Sequence, residues 1–344
     1  MKTKLLYVIV SDESDIYLEQ GYVSMFSAKM HMPECHITIL TDVKTSSSFK
    51  GIRKEEIKYA DEIVEVPLDS FLPAQKRSRI LKTNARNYVD GDFLFIDCDT
   101  IVIRDLSNID DETSILCACW DSHSDFAHNP YRNICLRDTK KMGVDISKET
   151  EFFNSGVIYV KDNTFTRDFY RHWHENYLKG YDKGVSMDQP SLEVTNIELK
   201  HPIQKLEPEW NCELKHGIKY LKDAYIVHYL CTNPSRSNDQ QFFLLNEKDV
   251  FLEIKKTAVI PSKIIEVIKD PFKGIAEVTH CFAGKEIYFF RTQTYLFFIK
   301  QFLEKDNDMT MERLFSMYSS FKRKCLSIIK SFKTILLQCF MTIL

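Results

Sequence analysis

Residues 4–10 form an uninterrupted apolar run, LLYVIV behind Lys4, stopped by Ser11-Asp12. A short run of this kind, rich in β-branched side chains, predicts a strand buried on both faces. The period then changes. Leu18, Tyr22, Met25/Phe26 and Met30 recur at helical spacing over residues 16–30, and Pro33 ends the region. Residues 36–40 predict a second strand, closed by Thr41-Asp42. A strand-helix-strand opening with polar residues at the strand ends reads as an open, mostly parallel sheet. Such sheets place ligands at the carboxyl ends of their strands.

The pattern continues with a helix expected near residues 76–88 and an apolar strand, Phe93–Ile96, running into Asp97-Cys98-Asp99. Residues 101–103 are apolar again. Residues 114–120 and 153–161 predict further strands, and residues 164–177 an aromatic-rich helix. Residues 224–230, with His228, predict a late strand, and beyond about residue 235 the pattern turns mostly helical. No internal repeat or low-complexity segment interrupts it.

Length and composition narrow the class. The 344 residues suggest about two units, or one large α/β domain with an extension, and can bury a core without metals or disulfides. Apolar residues make up 44% and charged residues 28%, which argues against disorder. A net charge of −3 argues against a nucleic-acid partner. Residues 311–344 carry Arg313, Lys322, Arg323, Lys324, Lys330 and Lys333 against the single acid Glu312. An acidic body with a basic tail suggests a partner for the tail. The ten cysteines form no CxxC pair, so a zinc ribbon is not expected, and several sit in apolar runs as small hydrophobes. The N-terminal apolar run is too short for a signal peptide, and a reducing cytoplasm is the simplest expectation. The longest uncharged stretch of the tail, residues 334–344, falls short of the ~20 residues of a membrane span.

The strongest chemical signal is FLFIDCDTIVI. A strand buried on both faces does not normally end in two carboxylates, because unpaired buried charge is costly. Period-2 geometry would put Asp97 and Asp99 on one face and Cys98 on the other. Two carboxylates pointing the same way repel unless a cation lies between them. Hard oxygen ligands favour Mg²⁺ or Mn²⁺. One alternative is a plain turn with Asp99 capping and Asp97 solvated. Another is a phosphohydrolase whose first Asp is a nucleophile, but the position four residues on is Ile101, and the motif closes a later strand than that chemistry uses.

The ordered motifs across about residues 4–235 resemble the GT-A glycosyltransferases, most closely glycosyltransferase family 8 and its bacterial relatives. They are the first strand with SDESDIY, Arg79-Ile80-Leu81-Lys82, the Asp97-Cys98-Asp99 run, Phe153-Asn154-Ser155-Gly156-Val157, Met187-Asp188-Gln189-Pro190 and Ile226-Val227-His228-Tyr229. The resemblance implies a metal-dependent enzyme that uses a nucleotide-sugar donor, usually UDP-linked, and retains anomeric configuration. It implies Mn²⁺ (or Mg²⁺) held by Asp97, Asp99 and His228, with Asp97 also approaching the ribose. Asp12 and Tyr17 would meet the uracil, by hydrogen bonding and by stacking. Arg79 and Lys82, one helical turn apart, would reach donor phosphates or sugar. Asn154 and Ser155 would bind sugar hydroxyls, and Asp188 and Gln189 would grip the donor sugar near its anomeric carbon. One departure is visible. The family often follows the histidine with a Gly and then Lys-Pro-Trp, whose Lys contacts the pyrophosphate, whereas here His228 is followed by YLCTNPS. Arg236 or Lys82 are the candidate substitutes.

The expected organisation is a GT-A type α/β catalytic domain over residues 1–235, with a mixed, mostly parallel sheet flanked by helices. A mostly helical extension over 236–310 and a basic amphipathic tail over 311–344 follow. The tail's apolar residues recur at helical spacing, which suits either an anionic membrane surface or docking on its own domain. The expected function is transfer of a hexose, from UDP-glucose or UDP-galactose, to a saccharide or lipid-linked acceptor in bacterial surface polysaccharide or lipopolysaccharide synthesis. The enzyme would be cytoplasmic, with a peripheral position on the inner face of the plasma membrane. The competing expectation is an inactive GT-A fold acting as a binding or scaffold protein. A nucleotidyltransferase is disfavoured, because the loop after the first strand, SDESD, is acidic and glycine-free.

Overall fold

The first apolar run forms strand β1 (Lys4–Ile9), buried along almost its whole length. In this computed structural model residues 1–230 and 242–276 are described. Helix α1 (Tyr17–His31) leads to β2 (Ile37–Asp42), the short helices α2 (Val43–Ser46) and α3 (Ile52–Glu55), and β3 (Glu62–Val66). Helix α4 (Ala74–Thr83) precedes β4 (Phe93–Ile96), β5 (Thr100–Val102) and β6 (Leu116–Trp120). Then come α5 (Arg132–Met142), β7 (Phe153–Val160), α6 (Thr164–Asp182) and α7 (Gln189–Glu198). Strands β8 (Gln204–Leu206), β9 (Cys212–Glu213) and β10 (Ile226–His228) are followed by helices α8 (Lys248–Thr257) and α9 (Ser262–Lys269).

Seven strands form one sheet in the order β3-β2-β1-β4-β7-β6-β8. All its pairings are parallel except the two made by β7, which runs against β4 and β6. The predicted mixed, mostly parallel sheet is therefore present, with helices on both faces. A smaller sheet, β5-β10-β9, lies beside it. The reversal of β7 matters for the site. Its first residues lie at the carboxyl ends of its parallel neighbours, so Asn154 and Ser155 reach the same edge as Asp97.

The period-2 reading holds along β1 and β4. Leu5, Tyr7, Ile9, Leu94 and Ile96 belong to one core with Leu18 and Met25 of α1. Leu6, Val8, Phe93 and Phe95 belong to the other, with Leu81 of α4 and Phe169 and Trp173 of α6. A fully buried side chain of this size contributes roughly 1.5–3 kcal/mol, which is why both faces must be covered. Strand β3 lies at the sheet's edge, and its burial alternates.

Helix α1 is buried around nearly its whole circumference. Its sheet-distal side meets the C-terminal helices: Tyr22 and Val23 share a core with Val250, Phe251, Ile254, Ile264 and Ile268. The Tyr22 hydroxyl also donates to the Ala258 carbonyl at 3.0 Å. Helix α4 is shorter than its pattern predicts. It ends at Thr83, and a tight 3-10 turn, Ala85–Asn87, replaces its last turn because Asn84 leaves helical dihedrals. Cys35, Cys98, Cys117, Cys119, Cys135 and Cys212 are all free thiols.

The described residues belong to a compact unit spanning Met1–Thr279. The boundary expected at residue 235, Arg236, most of the extension over 236–310 and the tail over 311–344 lie outside the described residues. Among the described residues no helix is long and apolar enough to cross a membrane.

Candidate active site

Asp97, Cys98 and Asp99 lie just past the end of β4, in the turn that leads to β5. The turn is tied down at several points. The Asp97 amide donates to the Gly156 carbonyl at 2.8 Å, and the Thr100 hydroxyl donates to the Asp97 carbonyl at 2.8 Å. The Cys98 thiol turns the other way, to the Val8 carbonyl at 3.6 Å. The two carboxylates share a side because of this turn rather than because of strand alternation.

Strand β10 runs antiparallel to β5, with His228 opposite Thr100. This pairing brings the imidazole to the carboxylates. Ligand atoms of Asp97, Asp99 and His228 all lie within 4.8 Å of one another. His228 Nε2 stands 3.2 Å from Asp99 Oδ1. Burial opposes charge on His228, but Asp99, with Asp97 behind it, outweighs burial and raises its pKa. Burial also raises the pKa of Asp97; Lys82 opposes this and Asp99 adds to it.

The tautomer of His228 follows from its surroundings. The Asp121 carboxylate accepts from Asn154 Nδ2 at 3.0 Å, which orients that amide. Asn154 Oδ1 then accepts from the Gly156 amide at 2.8 Å and from Asn211 Nδ2 at 3.0 Å. Asn211 Oδ1 is left to accept from His228 Nδ1 at 2.9 Å. With Nδ1 donating, Nε2 faces Asp99, so a proton or a metal ion must lie between them.

The arrangement fits a divalent cation. The donor set is two carboxylate oxygens and one imidazole nitrogen, which suits Mn²⁺ and accepts Mg²⁺ less readily. Room for it depends on Gly156. A Cβ there would lie 2.5 Å from His228 Cε1, so this glycine is required by close approach rather than by its backbone angles.

A second cluster adjoins the first. Lys82 Nζ lies 3.0 Å from Asp97 Oδ1 and 3.3 Å from Asp188 Oδ2. Arg79 Nε meets Asp188 Oδ1 at 2.8 Å, and the Ser155 hydroxyl donates to Asp188 Oδ2 at 2.8 Å. Burial alone would raise the pKa of Asp188, but Arg79 and Lys82 overturn that and hold it well below the usual carboxylate range. Lys82 is buried and committed to Asp97, Asp188 and Ser155. Its charge therefore holds carboxylates in place.

Gln189 opens α7, and its Nε2 donates to Asp121 Oδ1 at 2.7 Å. Asp12 lies in the loop between β1 and α1, and Tyr17 opens α1, one strand over from β4. The Asp12 carboxylate accepts from the Ser14 amide and hydroxyl at 2.8 and 2.6 Å, which lower its pKa. Tyr17 is half exposed at the start of α1.

Two participants were missed in the sequence. Asp121 follows β6 as Asp97 follows β4, and a polar residue closing a buried strand was the available signal. A register shift between Ala118 and Trp120 precedes it. Asn211 sits in a short 3-10 turn, Pro208–Asn211, with no local signal.

The profile of glycosyl transferase family 8 matches residues 9–234, well over half of the chain. Comparison with curated proteins finds no match. Among solved structures, mouse xyloside xylosyltransferase 1 in its apo form is 14% identical, with a TM-score of 0.47 over 68% of this chain and 99% of that one. The galactosyltransferase LgtC, in complex with donor and acceptor sugar analogs, is 15% identical, with a TM-score of 0.49 over 77% and 99%. The glycosyltransferase GlyE of Streptococcus pneumoniae TIGR4 is 16% identical, with a TM-score of 0.48 over 82% and 67%.

Proposed function

The chain belongs to glycosyl transferase family 8 and is a glycosyltransferase, and from that premise we propose that it moves a hexose from a UDP-sugar to a saccharide or lipid-linked acceptor, with retention of configuration. The observation that carries this reading is the convergence of Asp97, Asp99 and His228 beside the Arg79–Lys82–Asp188 cluster. Asp97, Asp99 and His228 would hold Mn²⁺ or Mg²⁺. A cation there supplies Lewis-acid stabilisation of the charge that grows on a departing diphosphate.

The remaining roles fall to the chain's own side chains. Asp12 and Tyr17 bind the nucleobase. Asn154, Ser155, Arg79 and Asp188 orient sugar hydroxyls, and Lys82 holds Asp97 and Asp188 in place and helps keep Asp188 ionised. Retention requires either a protein nucleophile or front-face attack beside the leaving phosphate. Asp188 is ion-paired with two cations, and Gln189 is a neutral amide bonded to Asp121. Neither is a free nucleophile, which favours front-face attack.

UDP-glucose and UDP-galactose are the donors of first choice, and a role in bacterial surface polysaccharide or lipopolysaccharide synthesis follows from the tail. Residues 311–344, basic and apolar at helical spacing, would hold the enzyme on an anionic membrane face in the cytoplasm. Removing them should abolish binding to anionic liposomes; undiminished binding would discard that part of the reading. The test of the site is calorimetric titration of UDP with and without Mn²⁺, on wild type and Asp99→Ala. Metal-dependent binding lost in the variant is expected. Equal UDP binding with and without metal would overturn the metal-dependent reading.

A further inference from the structure

The sheet order lines up the parts of the site. Asp12 follows β1, Asp97 follows β4, Asn154 opens β7 and Asp121 follows β6, and these strands are consecutive neighbours in the sheet. Beyond them, where β6 meets β8, lies a cavity of about 440 Å³, within the ~300–1,000 Å³ range of small-ligand sites. Trp120 lines it from the end of β6, His123 and His128 from the segment that follows, and Lys205 and Pro208 from β8 and the turn after it. Tyr220 lines it as well.

Both walls are continuous along the chain with residues of the site. On one wall, Trp120 precedes Asp121, which accepts from Asn154 and Gln189. On the other, Pro208 begins the turn that ends in Asn211, the partner of His228. The walls are tied together, since His123 Nε2 lies 2.9 Å from the Asn211 carbonyl and 3.0 Å from the Glu213 amide. The turn that follows Trp120 is strained. Ser122 and His123 both have left-handed backbone angles, φ 58° and 53°, which non-glycine residues seldom adopt in succession. Strain of this kind persists where the surroundings over-determine it, and it clusters at functional sites.

The lining has a specific chemistry. Two partly exposed aromatic rings, Trp120 and Tyr220, stand beside His123, whose Nε2 is taken by the turn, and His128, whose Nδ1 meets Asp125 at 2.7 Å; the other ring nitrogen of each can give or accept a hydrogen bond. Lys205 Nζ rests 3.8 Å from the Trp120 ring, and the Tyr220 ring meets His123 edge-on at 5.0 Å. Aromatic faces beside convergent donors and acceptors match a sugar ring, which is apolar on its C–H face and polar around its rim.

We propose that this cavity binds the acceptor as a saccharide ring, held by Trp120 and Tyr220, on the side of the metal cluster away from the nucleobase loop. The assignment rests on the glycosyltransferase reading and adds the position and class of the acceptor. A hydroxyl of that ring would point toward Asp121, the neighbour of Trp120 in the chain, and Gln189, which donates to it.

Tryptophan emission of the full chain tests this. The chain has three tryptophans; Trp173 is fully buried and Trp210 is stacked on Tyr225, so Trp120 is the one a cavity ligand would touch. With Mn²⁺ and UDP saturating, methyl glycosides of glucose, galactose and N-acetylglucosamine are titrated in turn. At least one should change the emission saturably. Tyr220→Ala, which leaves the reporter in place, should weaken that affinity fivefold or more, and Trp120→Phe should remove the signal. UDP binding with no response to any of the three glycosides would overturn the acceptor assignment alone, as would wild-type affinity in Tyr220→Ala. Failure of UDP itself to bind would count against the donor reading instead.

Discussion

Two buried groups of charged side chains in this protein solve the same problem in opposite ways. In the candidate active site, Asp97 and Asp188 face Lys82 and Arg79, and Asp188 is held well below its ordinary pKa. Beside the loop after β1, Glu19 of α1 and Glu56 face each other with Arg53 and Lys255 nearby, but without the close ion pairs that flank Asp188. Lys255 of α8 reaches Glu19 at 3.0 Å, while neither oxygen of Glu56 takes a hydrogen bond. Burial, reinforced by Glu19, pushes Glu56 up to about 8. At Asp188, which two cations flank, the proton is expelled and the charge is fixed. At Glu56, burial and the neighbouring acid outweigh Arg53 and Lys255, and the proton stays. The first arrangement keeps a carboxylate ready for a cationic or hydroxylated ligand, and the second makes stability depend on pH.

The largest expected effect breaks the first arrangement. Asp188→Ala leaves Arg79 and Lys82 without their buried partner and should cost roughly 3–5 kcal/mol of stability, read as a lowered urea midpoint. An unchanged midpoint would mean that these cations reach solvent more easily than the structure shows.

The second arrangement sets a pH dependence. Folded Glu56 keeps its proton up to about pH 8, whereas the unfolded chain releases it near 4.5. Between those values the folded state holds more protons, so stability falls as pH rises and is fullest below 4.5. The slope for one proton is roughly 1.4 kcal/mol per pH unit. Urea unfolding of wild type and Glu56→Gln across this range should show the substitution removing that slope. Parallel curves would refute the assignment of the proton to Glu56.

Effects on the proposed metal ligands are next in size. Gly156→Ala drives a methyl group into His228, and Asn211→Leu removes the acceptor that fixes its tautomer. Each should weaken Mn²⁺ affinity by about 10–100-fold, measured by electron paramagnetic resonance of free Mn²⁺. In Asn211→Leu, nitrogen NMR of the metal-free protein should also show a changed protonation of the His228 ring. A metal affinity equal to wild type in both variants would remove the polar relay from the account.

The smallest effect probes how the two regions meet. Lys255 Nζ also donates to the Glu13 carbonyl at 3.2 Å, in the loop that carries Asp12. Lys255→Met should weaken UDP binding by a few fold and cost about 1 kcal/mol of stability. Lys255→Arg should restore the affinity, and calorimetry reads both.

Much of this was legible along the chain. The apolar runs at β1, β2, β4 and β7 and the period change at α1 predicted the mostly parallel sheet. The carboxylates after Phe93–Ile96 stood out because a buried strand seldom ends in charge. The motifs identified Asp188, Gln189 and His228 as site candidates. Asp121 carried the same signal as Asp97 but lacked a second carboxylate to make it conspicuous. Asn211 carried none, because a single amide in a turn is ordinary until its partners are known. Helix α1 looked amphipathic on one face, and nothing local told that α8 and α9 cover its other side.

By itself, then, the sequence determined the elements, the sheet class and the residue types able to bind a cation, because periodicity and burial are local properties of the chain. Only the tertiary structure decided which of those side chains share a charge environment. Gln189 reaches Asp121 across 68 residues of sequence, and Lys82 reaches Ser155 across 73. The electrostatic energy of such contacts depends on distances of about 3 Å, which chain order does not encode until β7 reverses direction and β10 folds back on β5.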